Sequence, residues 1–379
     1  MATEQLSMPR TAWRFLSQRN RAGLARTRVS LPRIIRMTLG AVGAYWIAEE
    51  VFGHTAPIFA ATSALVSLGF GGATTMRRTA EIAIGCTLGV ALGDTLMHWL
   101  GQGIWQAAVV MALSLAIARY LDPGVIFSTQ LGMQSALVVL MPVNPDGPFA
   151  RSFDAMAGSL LAFLVVVCWP SDPRRTPVSS LFELLKALSE AVIECSWAIR
   201  DDDHRTAFHA LIKSRGTQSH VDKLPAAFTA AREIATLSPA GRRHRREIER
   251  LNERLDHYDW AARNLRVFAR RLASVLSNSA LLPAGSAALA PLLRDLSEAI
   301  NALANSVRET TTAGQRKYER AARQQLTACA AQLDPRELGV AGLQGEGLVL
   351  LLRPLLVDLM EAAGIDHDEA VGALPKLSD

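Results

Sequence analysis

The sequence predicts an all-α protein made of a six-helix transmembrane bundle followed by a cytoplasmic helical bundle with a long heptad-striped helical hairpin. Three observations lead to this fold class. Six apolar stretches fill the first half of the chain, the arginines of that half fall on one side of the implied membrane, and the second half has the seven-residue period of packed helices. The predicted domains are a basic cytoplasmic N-terminal segment (1–30), the transmembrane domain (31–170) and the cytoplasmic helical domain (171–379).

The apolar stretches are each close to the roughly 17 to 25 residues that cross a bilayer core as a helix. They cover residues 34–52, 56–70, 80–100, 103–118, 123–143 and 153–169. Six crossings return the chain to its starting side, so both termini are expected in the cytoplasm.

The arginines support this topology. Eleven of the twelve arginines before residue 171 fall on the cytoplasmic side if the N-terminus is inside, and only Arg151 faces outward. A helical protein with apolar core helices and no membrane would leave this asymmetry unexplained. The sequence therefore predicts a multi-pass protein of the inner or plasma membrane.

The composition differs between the two halves. Residues 1–170 hold twelve arginines, no lysine and eight acidic residues, whereas the remaining residues hold 28 basic and 27 acidic ones. The positive charge therefore comes from the membrane half and its anchors, which gives no reason to expect a nucleic-acid partner. The basic run at 242–246 is followed by acidic residues, as on a solvated helix face.

No enzyme, cofactor or metal site is predicted from motifs. The chain contains no GxxxxGK[ST], GxSxG or HExxH pattern, and its four cysteines show no metal-ligand spacing. The histidines of the second half have no paired acid or cysteine at ligand spacing; they include His204, His209, His220, His244 and His257.

The second half has the period of amphipathic helices. Between 242 and 277 two companion heptad series form one stripe: Leu251, Tyr258, Leu265 and Leu272, with Leu255, Ala262, Ala269 and Leu276. A second stripe runs from Leu289 to Val307 after a Pro-Gly turn at 282–286, so an antiparallel hairpin of these two helices is expected. Further helices are predicted at 178–200, 204–214, 222–236, 313–332 and 345–363, with a frayed tail from Gly364.

The third span carries most of the ionisable candidates. Charged groups inside a bilayer are costly and are functional candidates by default. Glu81 starts this span, and Asp94 and His98 lie four residues apart on one face. These three residues are predicted to couple transport to protons. The alternative is that Asp94 and His98 are interfacial residues reached by water.

The same span contains Gly85, Gly89 and Gly93 at four-residue intervals, which predicts close helix packing. The alternative is a bare face that lines a narrow path, with Thr87 and Thr95 as nearby hydroxyl donors.

Two further polar pairs are candidates for handling a substrate. Arg77 and Arg78, ahead of the third span, are expected to recruit an anion from the cytoplasm, or else to anchor the topology and pair with Glu81. Gln130 and Gln134 share a face of the fifth span and either line the pathway with Thr87 or bridge helices.

Local strings resemble those of a known family. The strings TAPIFAATSALV at 55–66, GCTLGVALG at 85–93 and WPSDPR at 169–174, with Arg77-Arg78 between the first two, are similar to the fusaric acid resistance-like (FUSC) or aromatic acid exporter family. Family members carry an arginine shortly before the glycine pair, whereas here Glu81 intervenes.

The resemblance implies export of small organic anions, and aromatic carboxylic acids in particular, across the lipid bilayer. It implies a homodimer of half-size units, and proton motive force is the expected energy source. A periplasmic adaptor protein is left open as a partner. The alternatives are a passive organic-anion channel, as in the plant malate transporters that resemble this superfamily, and a membrane-anchored scaffold with a helical interaction domain.

Overall fold

The structure is a computed structural model that describes residues 10–69, 76–142, 145–147, 149–168, 172–238, 241–340 and 342–377. Its described secondary structure is helical, with no strand in those ranges, which confirms the all-α class. The chain divides into two compact units, Met1–Ser171 and Asp172–Asp379.

The first unit contains six helices. They are α1 (Arg10–Glu50), α2 (Ile58–Leu68), α3 (Met76–Leu100), α4 (Ile104–Leu121), α5 (Val125–Leu140) and α6 (Ala150–Cys168). Three described segments are long and apolar enough to cross a membrane: Thr79–Leu100, Ile104–Leu121 and Ala150–Cys168. Because α2 and α5 are shorter apolar helices, the number of crossings stays a prediction. From Arg10 onward the basic segment is part of α1, which continues through Pro32 into the first apolar stretch.

Packing in this unit is organised around α3, α5 and α6. Helix α3 packs against α5 and α6, α2 packs against α6 and α1, and α4 packs against α5. Gly101, with a φ of +78°, adopts a left-handed backbone conformation between α3 and α4 that an L side chain rarely adopts.

The solvent-accessible surface of the first unit carries many apolar side chains, with exposed aromatic residues near helix ends. Trp99 is 83% exposed at the end of α3, and Tyr120 is 91% exposed at the end of α4. Trp105, at the start of α4, is also exposed. Tryptophan and tyrosine concentrate at the two interfaces of a bilayer, and Trp105 and Tyr120 are about 22 Å apart along α4 at 1.5 Å per residue.

The second unit is a bundle around one continuous apolar core. Its helices are α7 (Arg175–Arg200), α8 (His204–Gly216), α9 (Gln218–Val221), α10 (Leu224–Leu237), a 3₁₀ turn (Arg242–His244), α11 (Arg245–Glu253), α12 (Leu255–Ser277), α13 (Pro283–Arg308), α14 (Thr312–Ala330), α15 (Leu343–Ala362) and α16 (His367–Gly372).

The expected pairing of the two striped helices is wrong. The first stripe is broken at Arg254 into α11 and α12, and α12 packs mainly on α15 and α8. Helix α13 packs mainly on α7 and α14. A buried hydrogen bond helps to select this partner, because Ser196 Oγ donates to Ala290 O across the α7–α13 contact at 2.6 Å. A heptad stripe shows that a helix face is buried, but it does not identify the helix that covers it.

The tail beyond Gly364 is folded, contrary to the expected fraying. It contains α16, in which Ala370 is completely buried, and Ile365 is buried just before it. These two apolar side chains belong to the core of the second unit.

Candidate functional site

Buried polar side chains gather where α3 and α5 end and α6 begins. Asp94, Arg151 and Asp154 are only 9%, 7% and 3% exposed, although each carries an ionisable group. Together with Ser152 and with His54 of the α1–α2 connection, they form what we call the polar cluster. Ionisable groups at such burial require partners, and each of these residues has one.

Asp94 is held from the neighbouring helix. Ser152 Oγ donates a 2.9 Å hydrogen bond to Asp94 Oδ2, and the positive charge of Arg151 also acts on this carboxylate. The Arg151 guanidinium donates to the carbonyl oxygens of Val138 and Pro142 at the end of α5. The polar cluster thereby joins α3, α5 and α6.

A second carboxylate of the cluster contacts a histidine. His54 Nδ1 lies 2.6 Å from Asp154 Oδ1, and their side chains are 17% and 4% exposed. Beside them, Thr55 donates to Asp146 through its backbone N–H at 2.8 Å and through its hydroxyl at 2.9 Å. An imidazole and a carboxylate at this distance can share a proton.

The predicted glycine track lies against α5. A Cβ on Gly89 would come 2.6 Å from Leu131 O and 2.9 Å from Leu131 Cα, and one on Gly93 would come 2.9 Å from Ser135 O. Only glycine permits this backbone approach. The close packing fixes the position of α3, and with it that of Asp94.

A groove of about 370 Å³ runs between α3 and α6. Its walls are apolar and include Ile84, Met156 and Phe163. Thr87 and Ser159 belong to its wall, where their hydroxyls lie 3.5 Å apart and both donate to Ala83 O, so the open surface of the groove is apolar. A groove of this kind suits a flat apolar molecule.

The other ionisable residues predicted as site residues lie elsewhere in α3. His98 is exposed one turn beyond Asp94, and Glu81 is half-buried in the first turns of α3. Arg77 and Arg78 lie in α3, but their side chains are outside the described residues. The structure therefore brings neither Glu81 nor His98 into the polar cluster.

The two glutamines lie at the α3–α5 contact. Cys86 Sγ donates to Gln130 Oε1, and Gln134 Nε2 donates to the same sulfur, both at 3.7 Å. Gln134 is 1% exposed. This geometry favours the interpretation that the glutamines bridge helices over the one that they line a pathway.

Sequence reasoning missed His54, Arg151, Ser152 and Asp154 as site residues. Asp154 and His54 are separated by 100 residues, so no local spacing connects them. A usable signal was present in Arg151, the one arginine on the predicted outer side, three residues before an acid inside an apolar stretch.

Comparison with known proteins relates most of the first unit to one protein family. Residues 33–165 match the family described as fusaric acid resistance protein-like. An uncharacterised protein of Corynebacterium glutamicum is 34% identical over 256 residues, which cover 67% of this chain and 65% of the relative. Proteins of Mycobacterium tuberculosis and Mycobacterium bovis named "putative arylamide transporter" are 28% identical over 187 residues, covering 48% of this chain and 53% of theirs. The matches therefore span between half and two thirds of the relatives' length.

Proposed function

Because residues 33–165 carry the fusaric acid resistance protein-like match, we propose that this chain is a membrane transporter that exports small aromatic carboxylic acids and is driven by the proton motive force. In this proposal the first unit crosses the membrane six times with both termini in the cytoplasm. The polar cluster then lies at the outer end of the helices.

One observation supports the proposal most directly: the groove and the buried carboxylate of Asp94 both lie at the contact between α3 and α6. Thr87 faces Ser159 in the groove, and Asp94 accepts a hydrogen bond from Ser152 further along. Thr87 and Asp94 are seven residues apart on α3, and Ser159 and Ser152 are seven residues apart on α6. Seven residues are two helical turns, or about 10 Å. A change at one pair therefore reaches the other through two packed helices.

The proton step follows from the charge of Asp94. A proton on this carboxylate removes the attraction of Arg151 and weakens the charge-assisted hydrogen bond from Ser152. The outer end of the α3–α6 contact then loosens. The His54–Asp154 pair supplies a neighbouring group that can accept or release the proton.

The groove determines the form of the substrate. Its open surface is apolar, the hydroxyls of Thr87 and Ser159 in its wall donate to Ala83 O, and none of its lining residues is charged. It therefore suits an aromatic acid in its protonated form, or the corresponding neutral amide. In this proposal Arg77 and Arg78 recruit the anion from the cytoplasm. The chain assembles as a homodimer, with or without a periplasmic adaptor.

Reconstituted protein tests the proposal directly. Proteoliposomes with an imposed pH gradient are given benzoate or acetanilide, and uptake is measured with and without a protonophore. Saturable benzoate uptake that needs the gradient supports the exporter. Large unitary currents without a gradient favour the passive channel, and absence of flux for both compounds contradicts a transport function for these substrates.

Variants in the groove provide a matched comparison. Thr87→Val and Ser159→Ala should raise the KM for benzoate, since each changes a side chain of the groove wall. Thr95→Val is the control, because Thr95 is exposed and bonds back to Ala91 O of its own helix much as Thr87 bonds to Ala83 O. Equal effects of Thr87→Val and Thr95→Val would remove the groove from the proposal.

A further inference from the structure

A cluster of metal-ligating side chains lies in the second unit, distant in sequence from the membrane site. His257 of α12 and Asp358 and Glu361 of α15 each offer a ligand atom, and these atoms all lie within 4.8 Å of one another. His257 Nδ1 is 3.1 Å from Glu361 Oε2. On the other side of the carboxylate, His367 Nδ1 is 2.6 Å from Glu361 Oε1.

The cluster is held in place by its surroundings. Asn264 Nδ2 donates a 2.6 Å hydrogen bond to Asp358 Oδ2 and leaves Oδ1 available. The His257 ring makes an edge contact with Trp260, with ring centroids 5.1 Å apart. His257 Nδ1 is shielded from solvent yet makes no well-directed hydrogen bond, despite its proximity to Glu361. Ligands that are oriented by hydrogen bonds from neighbouring side chains are typical of metal sites.

The Asp358 and Glu361 carboxylates lie close together away from solvent, so repulsion between their negative charges costs free energy. The Asp358 and Glu361 side chains are both largely buried, and the negative charge of Glu361 acts on the Asp358 carboxylate. A divalent cation between these carboxylates would remove the repulsion. The two histidines add charge only when they are protonated.

We propose that His257, Asp358 and Glu361 bind a divalent metal ion of the zinc type, with water in the fourth position. Imidazole and carboxylate ligands suit Zn²⁺ and Co²⁺ in tetrahedral coordination. With ligand distances near 2.1 Å, two ligand atoms of a tetrahedral site lie about 3.4 Å apart. The His257–Glu361 distance of 3.1 Å is close to this value.

The ion would tie α12 to α15, the two helices that supply its ligands. The His257 side chain is 25% exposed and the Glu361 side chain 11% exposed, so an ion can enter from solvent beside His257. Binding would therefore fix α12 against α15.

The test uses the full-length chain in detergent, stripped with a chelator and then titrated with Zn²⁺. We expect one bound zinc per chain by mass spectrometry and a higher thermal midpoint on zinc addition. His257→Gln and Glu361→Gln should abolish both effects. Asn264→Ala should weaken the affinity about 10- to 100-fold, because it removes the hydrogen bond that orients the Asp358 carboxylate.

His209→Gln is the matched control, because His209 Nδ1 also contacts a carboxylate, Glu194 Oε1 at 2.9 Å, outside the cluster. It should keep full zinc binding. Co²⁺ gives a second readout, the quenching of tryptophan fluorescence in the wild-type chain. The part of this quenching that comes from Trp260 should be absent in Trp260→Phe. Zinc binding equal in wild type and His257→Gln, or none in the wild type, would show that the cluster is only a proton-sharing ion pair.

Discussion

Ser152 Oγ donates its 2.9 Å hydrogen bond to Asp94 Oδ2 from the first turn of α6 to the last two turns of α3. The preceding residue, Arg151, is bonded to the carbonyl oxygens that end α5. Two consecutive side chains of α6 therefore attach to two different helices. A change in the charge of Asp94 alters one attachment while the other remains, which is a simple basis for movement of α3 against α6.

Replacing Asp94 with Asn should abolish the dependence of benzoate uptake on the pH gradient, because the amide keeps the shape of the carboxylate and cannot take up a proton. Uptake should fall to the rate seen without a gradient. The measurement is gradient-driven flux in proteoliposomes. Ser152→Ala is the comparison: it keeps the carboxylate and the attraction of Arg151, loses a hydrogen bond to a charged group worth about 1.5–3 kcal/mol, and should retain part of the coupling. Unaltered coupling in Asp94→Asn would exclude the proton role.

The contact between His54 and Asp154 should be measurable as a coupling energy. Removing one partner of a buried pair leaves a charge without compensation and costs about 3–5 kcal/mol. We therefore expect His54→Gln to be strongly destabilising, and the double variant with Asp154→Asn to recover part of the loss. Thermal unfolding of the four proteins gives the double-mutant cycle.

The comparison pair for that cycle is Arg245–Glu249, whose side chains are 57% and 38% exposed. Exposed pairs one turn apart on a helix contribute at most about 0.5 kcal/mol. Additive effects at His54 and Asp154, as at this surface pair, would mean that the two side chains are not coupled.

The helices were predictable because their signals are local. The apolar stretch at 80–100 lies within α3 (Met76–Leu100), and the helix predicted at 178–200 lies within α7 (Arg175–Arg200). Helix-breaking glycines and prolines between stretches specify most ends. Asp94 was identifiable for the same reason, as an acid inside an apolar run.

The pairing of distant elements was not predictable from local patterns. His54 and Asp154, and likewise His257 and Glu361, come together through tertiary packing across about a hundred residues. The striped helix α13 could have been covered by several apolar faces of similar period. Choosing among them requires knowledge of buried hydrogen bonds, such as the one between Ser196 and Ala290, which no periodicity reveals.

Gly89→Ala should destabilise the first unit. The new Cβ would lie 2.6 Å from the Leu131 carbonyl oxygen, a backbone atom that cannot move alone. Overpacking of this kind costs about 1–3 kcal/mol. Gly23→Ala is the matched control, because nothing lies within 4 Å of its added Cβ, and there alanine should stabilise α1 by about 0.5–1 kcal/mol. Thermal unfolding in detergent measures both, and equal midpoints would contradict the close α3–α5 packing.

The α7–α13 pairing should be detectable by an engineered disulfide. Ser189 Oγ and Ser297 Oγ are 2.9 Å apart and both side chains are buried, so cysteines at these positions are expected to have the short Cβ separation that a disulfide requires. Oxidised Ser189→Cys/Ser297→Cys protein should show a mobility shift on a non-reducing gel. The bond would close a loop of about 100 residues and stabilise the unit by up to about 4.7 kcal/mol.

The control for this prediction places cysteines where the two striped helices would meet if they formed a hairpin, at Leu265 and Leu293. Helix α12 packs mainly on α15 and α8, and α13 on α7 and α14, so these positions belong to different helix contacts. Leu265→Cys/Leu293→Cys should therefore stay reduced under the same oxidant. A disulfide that forms in this second variant and not in the first would show that α12 and α13 pair as a hairpin.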